Sequence, residues 1–226
     1  MIRATTSHFI SSEALFIVRF FFALFAWCFI IMDVWVLGFS ELRFMTDLSW
    51  FGITVYLTTV VVHSFWTRIN KTISKPWVLE VIQFFFITSQ VLAPIVTVVF
   101  WSMLSDVLDE PVSDVYKFVQ ATPHAANIII VQTELWLCCL SFTLAQIWIF
   151  LLVASAYTLL TYTLYYGANI EFPYPFFNDY LDFTKNSGIA CAGILIVLLI
   201  FSLVYILVWA EIKLRDWIAS RRSYIQ

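Results

Sequence analysis

Long apolar runs separated by short polar loops constrain this chain more than any other feature. A bilayer core of about 30 Å is crossed by about 20 apolar residues in a helix. Six stretches reach or approach that length: residues 14–37, 48–66, 77–104, 123–141, 144–167 and 188–209. In lipid each segment must satisfy its own backbone N–H and C=O groups, so such runs become helices. The expectation is an all-α, polytopic transmembrane helical bundle of six helices, with residues 1–226 forming a single transmembrane domain. Composition agrees, with 62% hydrophobic and 12% charged residues, against about 25% charged in soluble domains. The join between the fourth and fifth runs is almost unbroken over residues 134–149, so five helices is the alternative count. The first run is too long for a cleaved signal peptide and lacks a small-residue cleavage pattern, so it is expected to remain as the first helix.

Lys and Arg collect in cytoplasmic loops. The loop after the second run carries Arg68, Lys71 and Lys75 without an acid, and the C-terminal tail carries Lys213, Arg215, Arg221 and Arg222. The loop after the third run holds Asp106, Asp109, Glu110 and Asp114 against Lys117. The loop after the fifth holds Glu171, Asp179 and Asp182 against Lys185. With six helices these loops alternate in sign and both termini fall in the cytosol, whereas five would put an acidic loop and the basic tail on one side. The expected home is the endoplasmic reticulum or the plasma membrane, with the mitochondrial inner membrane as the alternative.

That orientation sorts the polar residues by depth. Thr46 and His124 fall at the outer starts of the second and fourth helices, with Asp33 and Ser49 near the same level and Asn127 one turn below His124. Glu134 lies about 15 Å deeper, level with Gln90, while Arg19, His63 and Glu80 gather near the cytosolic side. A charge at the bilayer centre costs at least about 2.5–3.5 kcal/mol, so Glu134 is expected to face the interior, hydrogen-bonded to a group such as Gln90. It reads either as a functional acid or as an interhelical hydrogen-bond partner. Arg19 is expected to snorkel to the headgroups or to pair with Glu80, and His63 and Glu80 to pair across a cytosolic hairpin.

Other signals are mostly exclusions. The net charge of −3 is too small and scattered for nucleic-acid binding. Cys28, Cys138, Cys139 and Cys191 lie in apolar runs without metal-ligand spacing and read as small core residues. No metal and no cofactor is implied. There is no GxGxxG, P-loop, HExxH or GxSxG, and no repeat or paired broken helix of the transporter kind. Pro94 is a lone kink candidate. Residues 171–182 read EFPYPFFNDYLD, an aromatic, proline-broken segment expected to lie at the outer interface, either anchoring the turn or capping a site.

Several motifs together resemble a known family. Leu42, Arg43, Phe44, Met45 and Thr46 resemble the basic-aromatic-x-Thr start of the second helix in the androgen-induced and rolling-stone-like membrane proteins. His124, Asn127 and Glu134 resemble their fourth helix, in which an acid follows a His by ten residues. Phe172, Pro173, Tyr174, Pro175 and Phe176 resemble their YPF loop, and Arg19 and Trp27 have counterparts in the first helix. The resemblance implies a six-helix membrane hydrolase of fatty acid esters of hydroxy fatty acids, with Thr46 as nucleophile and His124 as its base. The hydrolase branch carries hydroxyl residues directly after the His, where this chain has Ala125 and Ala126, and Asn127 matches the rolling-stone-like branch.

A Thr hydroxyl needs a base within about 2.6–3.2 Å to become a nucleophile, and an imidazole suits that role. Asp33 is a candidate to orient His124. Ser49 and Asn127 are candidate oxyanion donors. Against this stands a plain reading in which Thr46 is a helix N-cap. Two further functions compete: a non-catalytic multi-pass scaffold or lipid-binding subunit of a complex, burying Phe20 to Phe22 and Phe84 to Phe86 on another chain, and a small transporter centred on Glu134. Expected partners are membrane lipids and a lipid ester substrate, with a protein partner open.

Overall fold

A computed structural model describes residues 4–38, 44–70, 75–109, 111–168, 170 and 182–222. Lys71, Leu42 and Arg43 of the second-helix motif, and residues 171–181 of the aromatic loop lie outside them. Within the described residues the chain forms six long helices: α1 (Ser12–Leu37), α2 (Met45–Asn70), α3 (Pro76–Val99), α4 (Asp114–Leu137), α5 (Ile147–Tyr162) and α6 (Ser187–Arg222). Successive helices run antiparallel. Arg68 near the end of α2 donates to the Ser12 carbonyl at the start of α1 (2.7 Å), and Tyr205 of α6 donates to the Thr143 carbonyl just before α5 (2.7 Å). Both ends of the described chain therefore share one end of the bundle, called here the terminal end.

Local chemistry sets the helix limits. The Ser11 hydroxyl accepts the Ala14 N–H at 3.1 Å to cap α1. Gly38, at φ 82°, closes the other end with its N–H on the Val34 carbonyl, a backbone region that costs glycine least. Pro76 opens α3 at the first turn, where its missing N–H costs no helical bond. Beyond Val99 the helix widens into a π turn over Phe100–Leu104 and tightens into a 3₁₀ turn over Ser105–Leu108.

Five helices are long and apolar enough to cross a membrane, the make-up of a membrane-embedded protein. The exception is α4. Residues 123–141 were expected to be helical, but α4 starts nine residues earlier and ends at Leu137. The Ser113 hydroxyl caps it by accepting the Tyr116 N–H at 3.2 Å, and Asp114 places a negative charge at the positive end of the helix. Pro123 therefore sits inside the helix. The six-helix count holds because residues 138–143 are not helical, and the break is held in place by its neighbours. The Cys139 N–H reaches the Thr6 carbonyl at 3.1 Å, Ser7 and Cys138 form an isolated antiparallel bridge, and Gln83 donates to the Ser141 carbonyl at 2.7 Å.

The core lies where α2, α3 and α4 meet, with Leu57, Val60, Ile82, Ile87 and Leu135 fully buried. Much of the remaining apolar surface faces outward. Phe21, Trp35 and Leu199 are exposed, as a lipid-facing surface requires, whereas Phe86 is fully buried in this chain's own core. Two cysteines also depart from expectation: Cys138 is in the core, but Cys28 and Cys191 are exposed on the helix surface.

Candidate functional site

Thr46 and His124 line one cavity. It has a volume of about 190 Å³ and lies between the start of α2, the end of α3, the middle of α4 and facing stretches of α5 and α6. Its walls are almost wholly apolar, with Val96, Val99, Phe100, Val197 and Phe201 among them. Thr46 is the second residue of α2, so the cap position belongs to Phe44. Both Thr46 and His124 are buried.

The imidazole is fixed by two contacts. Its ring stacks flat on Phe100, with centroids 3.7 Å apart and 7° between the planes. Its Nδ1 lies 3.3 Å from the Val96 carbonyl oxygen. A carbonyl only accepts, so Nδ1 carries the proton and Nε2 is left as the basic nitrogen. The backbone is held as well, because the Thr97 hydroxyl donates to the His124 carbonyl at 2.8 Å. Such a carbonyl-bound imidazole is set up to accept a proton at Nε2.

The expected supporting residues do not gather around this pair. Asp33 is buried near the end of α1 and is not among the cavity-lining residues, so the Val96 carbonyl takes the orienting place expected of it. Ser49 lies one turn beyond Thr46 but faces a second opening between α2, α3 and α5. Asn127 is fully buried, and both its amide atoms lack a hydrogen-bond partner among the described residues. Sequence reasoning missed Tyr157, Thr158 and Thr161 of α5, which bring hydroxyls to the cavity wall. Thr158 and Thr161 donate to the carbonyls of Ala154 and Thr158, at 2.9 and 2.8 Å. The i, i+4 spacing of Tyr157 and Thr161, which puts both on one face of the helix, was the signal available for them.

The deeper polar residues form a separate cluster at the terminal end. Glu134 was expected near the bilayer midplane beside Gln90, but it sits in the last turn of α4 and bonds to Arg19. The Arg19 Nε donates to both Glu134 oxygens at 3.0 and 3.1 Å, and Nη2 also donates to Oε1. Arg19 Nη1 donates to the Ala4 carbonyl at 2.6 Å, and the Tyr56 hydroxyl donates to Glu134 Oε1 at 2.6 Å. Arg19 is thus wholly buried and neither snorkels nor reaches Glu80, which is exposed. Gln90 instead donates to the Val131 carbonyl at 3.0 Å, leaving its own Oε1 unpaired among the described residues.

A second buried arginine completes this end. Arg215 was expected as a charge of the cytosolic tail, but it is fully buried. It donates to the carbonyls of Leu135 and Leu140 at 2.7 and 2.9 Å and to Asp216 Oδ1 from Nε at 2.9 Å. A helix end leaves its last carbonyls without partners, and a cation there also meets the negative end of the helix dipole. The break after α4 is stabilised in this way. Comparison with protein-family models, with curated proteins and with solved structures gives no match.

Proposed function

We propose that the protein is an integral membrane hydrolase of fatty acyl esters, of the kind the androgen-induced and rolling-stone-like resemblance implies. One observation carries the reading: Thr46 and His124 line the same apolar cavity, and the imidazole is held with Nε2 as its basic nitrogen. The apolar walls suit acyl chains and keep the local dielectric low. In the proposed reaction His124 Nε2 takes the Thr46 hydroxyl proton, and the alkoxide attacks the ester carbonyl. The tetrahedral intermediate expels the alcohol oxygen, which recovers the proton from His124, and leaves an acyl ester on Thr46. Water, deprotonated by the same imidazole, then releases the fatty acid and restores the Thr46 hydroxyl. Tyr157 is the candidate donor to the developing oxyanion, since it is on the cavity wall and Ser49 and Asn127 are not. The alternating loop charges support an orientation with the terminal end in the cytosol and the cavity toward the outer or lumenal side.

A second reading has one observation in its favour. The expected donors Ser49 and Asn127 do not line the cavity, which suits a protein that binds a lipid chain without cleaving it. Purified protein in nanodiscs, assayed with a branched fatty acid ester, separates the two. The hydrolase reading expects turnover that falls by at least about 100-fold in Thr46→Ala and in His124→Ala, the scale of loss of a positioned base. Binding of the ester without turnover supports the carrier.

A further inference from the structure

Hydroxyl side chains inside helices usually satisfy themselves by donating to a carbonyl one turn back. Thr54, Thr58, Ser64, Thr88, Thr158 and Ser202 all do so here, at 2.6–3.0 Å. Ser49 on α2 and Ser89 on α3 do not. Both are at least 97% buried, and neither Oγ has a hydrogen-bond partner among the described residues. For Ser89 the carbonyl one turn back, that of Phe85, already accepts from Thr88 at 3.3 Å.

Both serines line a single groove of about 310 Å³ between α2, α3 and α5, with their hydroxyls buried in its wall. Gly52 lies between them in the wall. A Cβ there would stand 4.0 Å from Ser89 Oγ and 3.9 Å from Phe85 Cδ1, both ordinary contact distances. No charged residue lines the groove, and apart from Ser49, Ser89 and Thr88 its walls are glycine, aliphatic or aromatic. Leu160 on its wall is exposed at the surface of the bundle. Tyr157 separates it from the Thr46–His124 cavity by lining both.

An unpaired buried hydroxyl costs about as much as a lost hydrogen bond, and two in the wall of one apolar groove define a complement. A ligand hydroxyl both donates and accepts, so it complements an unpaired serine hydroxyl in either role. A phosphate or ammonium would find no counter-charge. Ser49 lies about 6 Å along α2 from Met45, a depth at which a hydroxyl-headed lipid can hold its polar group while its apolar body fills the groove. We propose that this groove is a binding site for a neutral lipid bearing a hydroxyl headgroup, a sterol or a diacylglycerol, held through Ser49 and Ser89. The site stands whichever chemistry the neighbouring cavity performs.

The test uses the full chain in phosphatidylcholine nanodiscs carrying a diazirine-labelled sterol, diacylglycerol or phosphatidylcholine, with labelled peptides mapped by mass spectrometry. One or both hydroxyl lipids should label residues 48–52 and 84–92 well above the phosphatidylcholine probe, and the stronger of the two identifies the source. Ser89→Ala should cut labelling about fivefold, the effect of losing one ordinary hydrogen bond. Gly52→Leu should abolish it by filling the groove, and Gly52→Ala should leave it intact, since its Cβ makes only ordinary contacts. A sterol with its hydroxyl methylated should compete poorly against the free sterol. Equal labelling by the phosphatidylcholine probe, or unchanged labelling in Ser89→Ala, overturns the proposal. If Gly52→Leu fails to fold, Ser89→Ala and the methylated competitor decide alone.

Discussion

The two ends of the bundle treat buried polarity in opposite ways. At the terminal end Arg19, Glu134, Tyr56 and Arg215 are buried, and every guanidinium nitrogen of the two arginines has a hydrogen-bond acceptor. Towards the other end Ser49, Ser89 and Asn127 are equally buried, yet the two hydroxyls and both Asn127 amide atoms are unpartnered among the described residues. Buried polar groups persist where they are paired or where something else completes them. The paired end ties α1, α2, α4 and α6 together, so it reads as scaffold. The unpaired region surrounds the Thr46–His124 cavity and the serine groove, so it reads as the part left open for ligands.

Breaking the ion pair has the largest expected effect. Arg19→Met leaves Glu134 buried without its counter-charge and should destabilise the protein by about 3–5 kcal/mol. Denaturant unfolding in micelles measures this. The double variant Arg19→Met with Glu134→Leu should recover much of the loss, because an apolar pair replaces an ionic one. If Arg19→Met is as stable as the wild type, the scaffold role of this end is wrong. Arg215→Met comes next, at about 1–3 kcal/mol for buried carbonyls left bare. Its loss should appear first as faster amide exchange in residues 210–220, since Arg215 ties that turn of α6 to α4.

Asn127→Leu sharpens the contrast from the other side. Replacing an unpartnered buried amide by an apolar group of similar size should be neutral or stabilising by up to about 1 kcal/mol, read by the same unfolding assay. A loss comparable to that of Arg19→Met would mean that Asn127 is part of the scaffold. The smallest effect belongs to Asp182, between α5 and α6. The Thr184 hydroxyl, with the Thr184 N–H and the phenols of Tyr165 and Tyr166, holds its carboxyl down to about 2 from an ordinary 3.8. A lowered folded pKa means that its stabilisation is complete above pH 3.8 and is lost as pH falls through about 2. Thr184→Val should move that loss upward toward pH 3.8, followed through the tyrosine absorbance of this corner.

The bundle is legible in the sequence because length and hydropathy alone decide whether a run becomes a spanning helix. Five of the six helices are read that way. The fourth is not, because its polar face is buried by other helices and its true start is signalled by the Ser113 cap and not by hydropathy. That shift moved Glu134 from the supposed midplane to the final turn and hid its bond to Arg19. Arg215 was misread because a basic residue past Trp209 looks like tail. The buried stripe Tyr205, Val208, Ile212 and Arg215, spaced at helical intervals, carries the contrary signal. Depth did bring Thr46 and His124 to one cavity. It failed for Ser49, which three residues along a helix turn about 60° away from Thr46, enough to face the other side of Tyr157.

The proposed role of Thr46 as nucleophile is open to covalent trapping. Protein in nanodiscs, quenched in acid during turnover of a branched fatty acid ester or an activated acyl ester, is digested and mapped by mass spectrometry. An acyl group is expected on the Thr46 hydroxyl, absent from Thr46→Ala and strongly reduced in His124→Ala. Ester turnover that persists undiminished in Thr46→Ala, or an acyl group found on another residue, would contradict it.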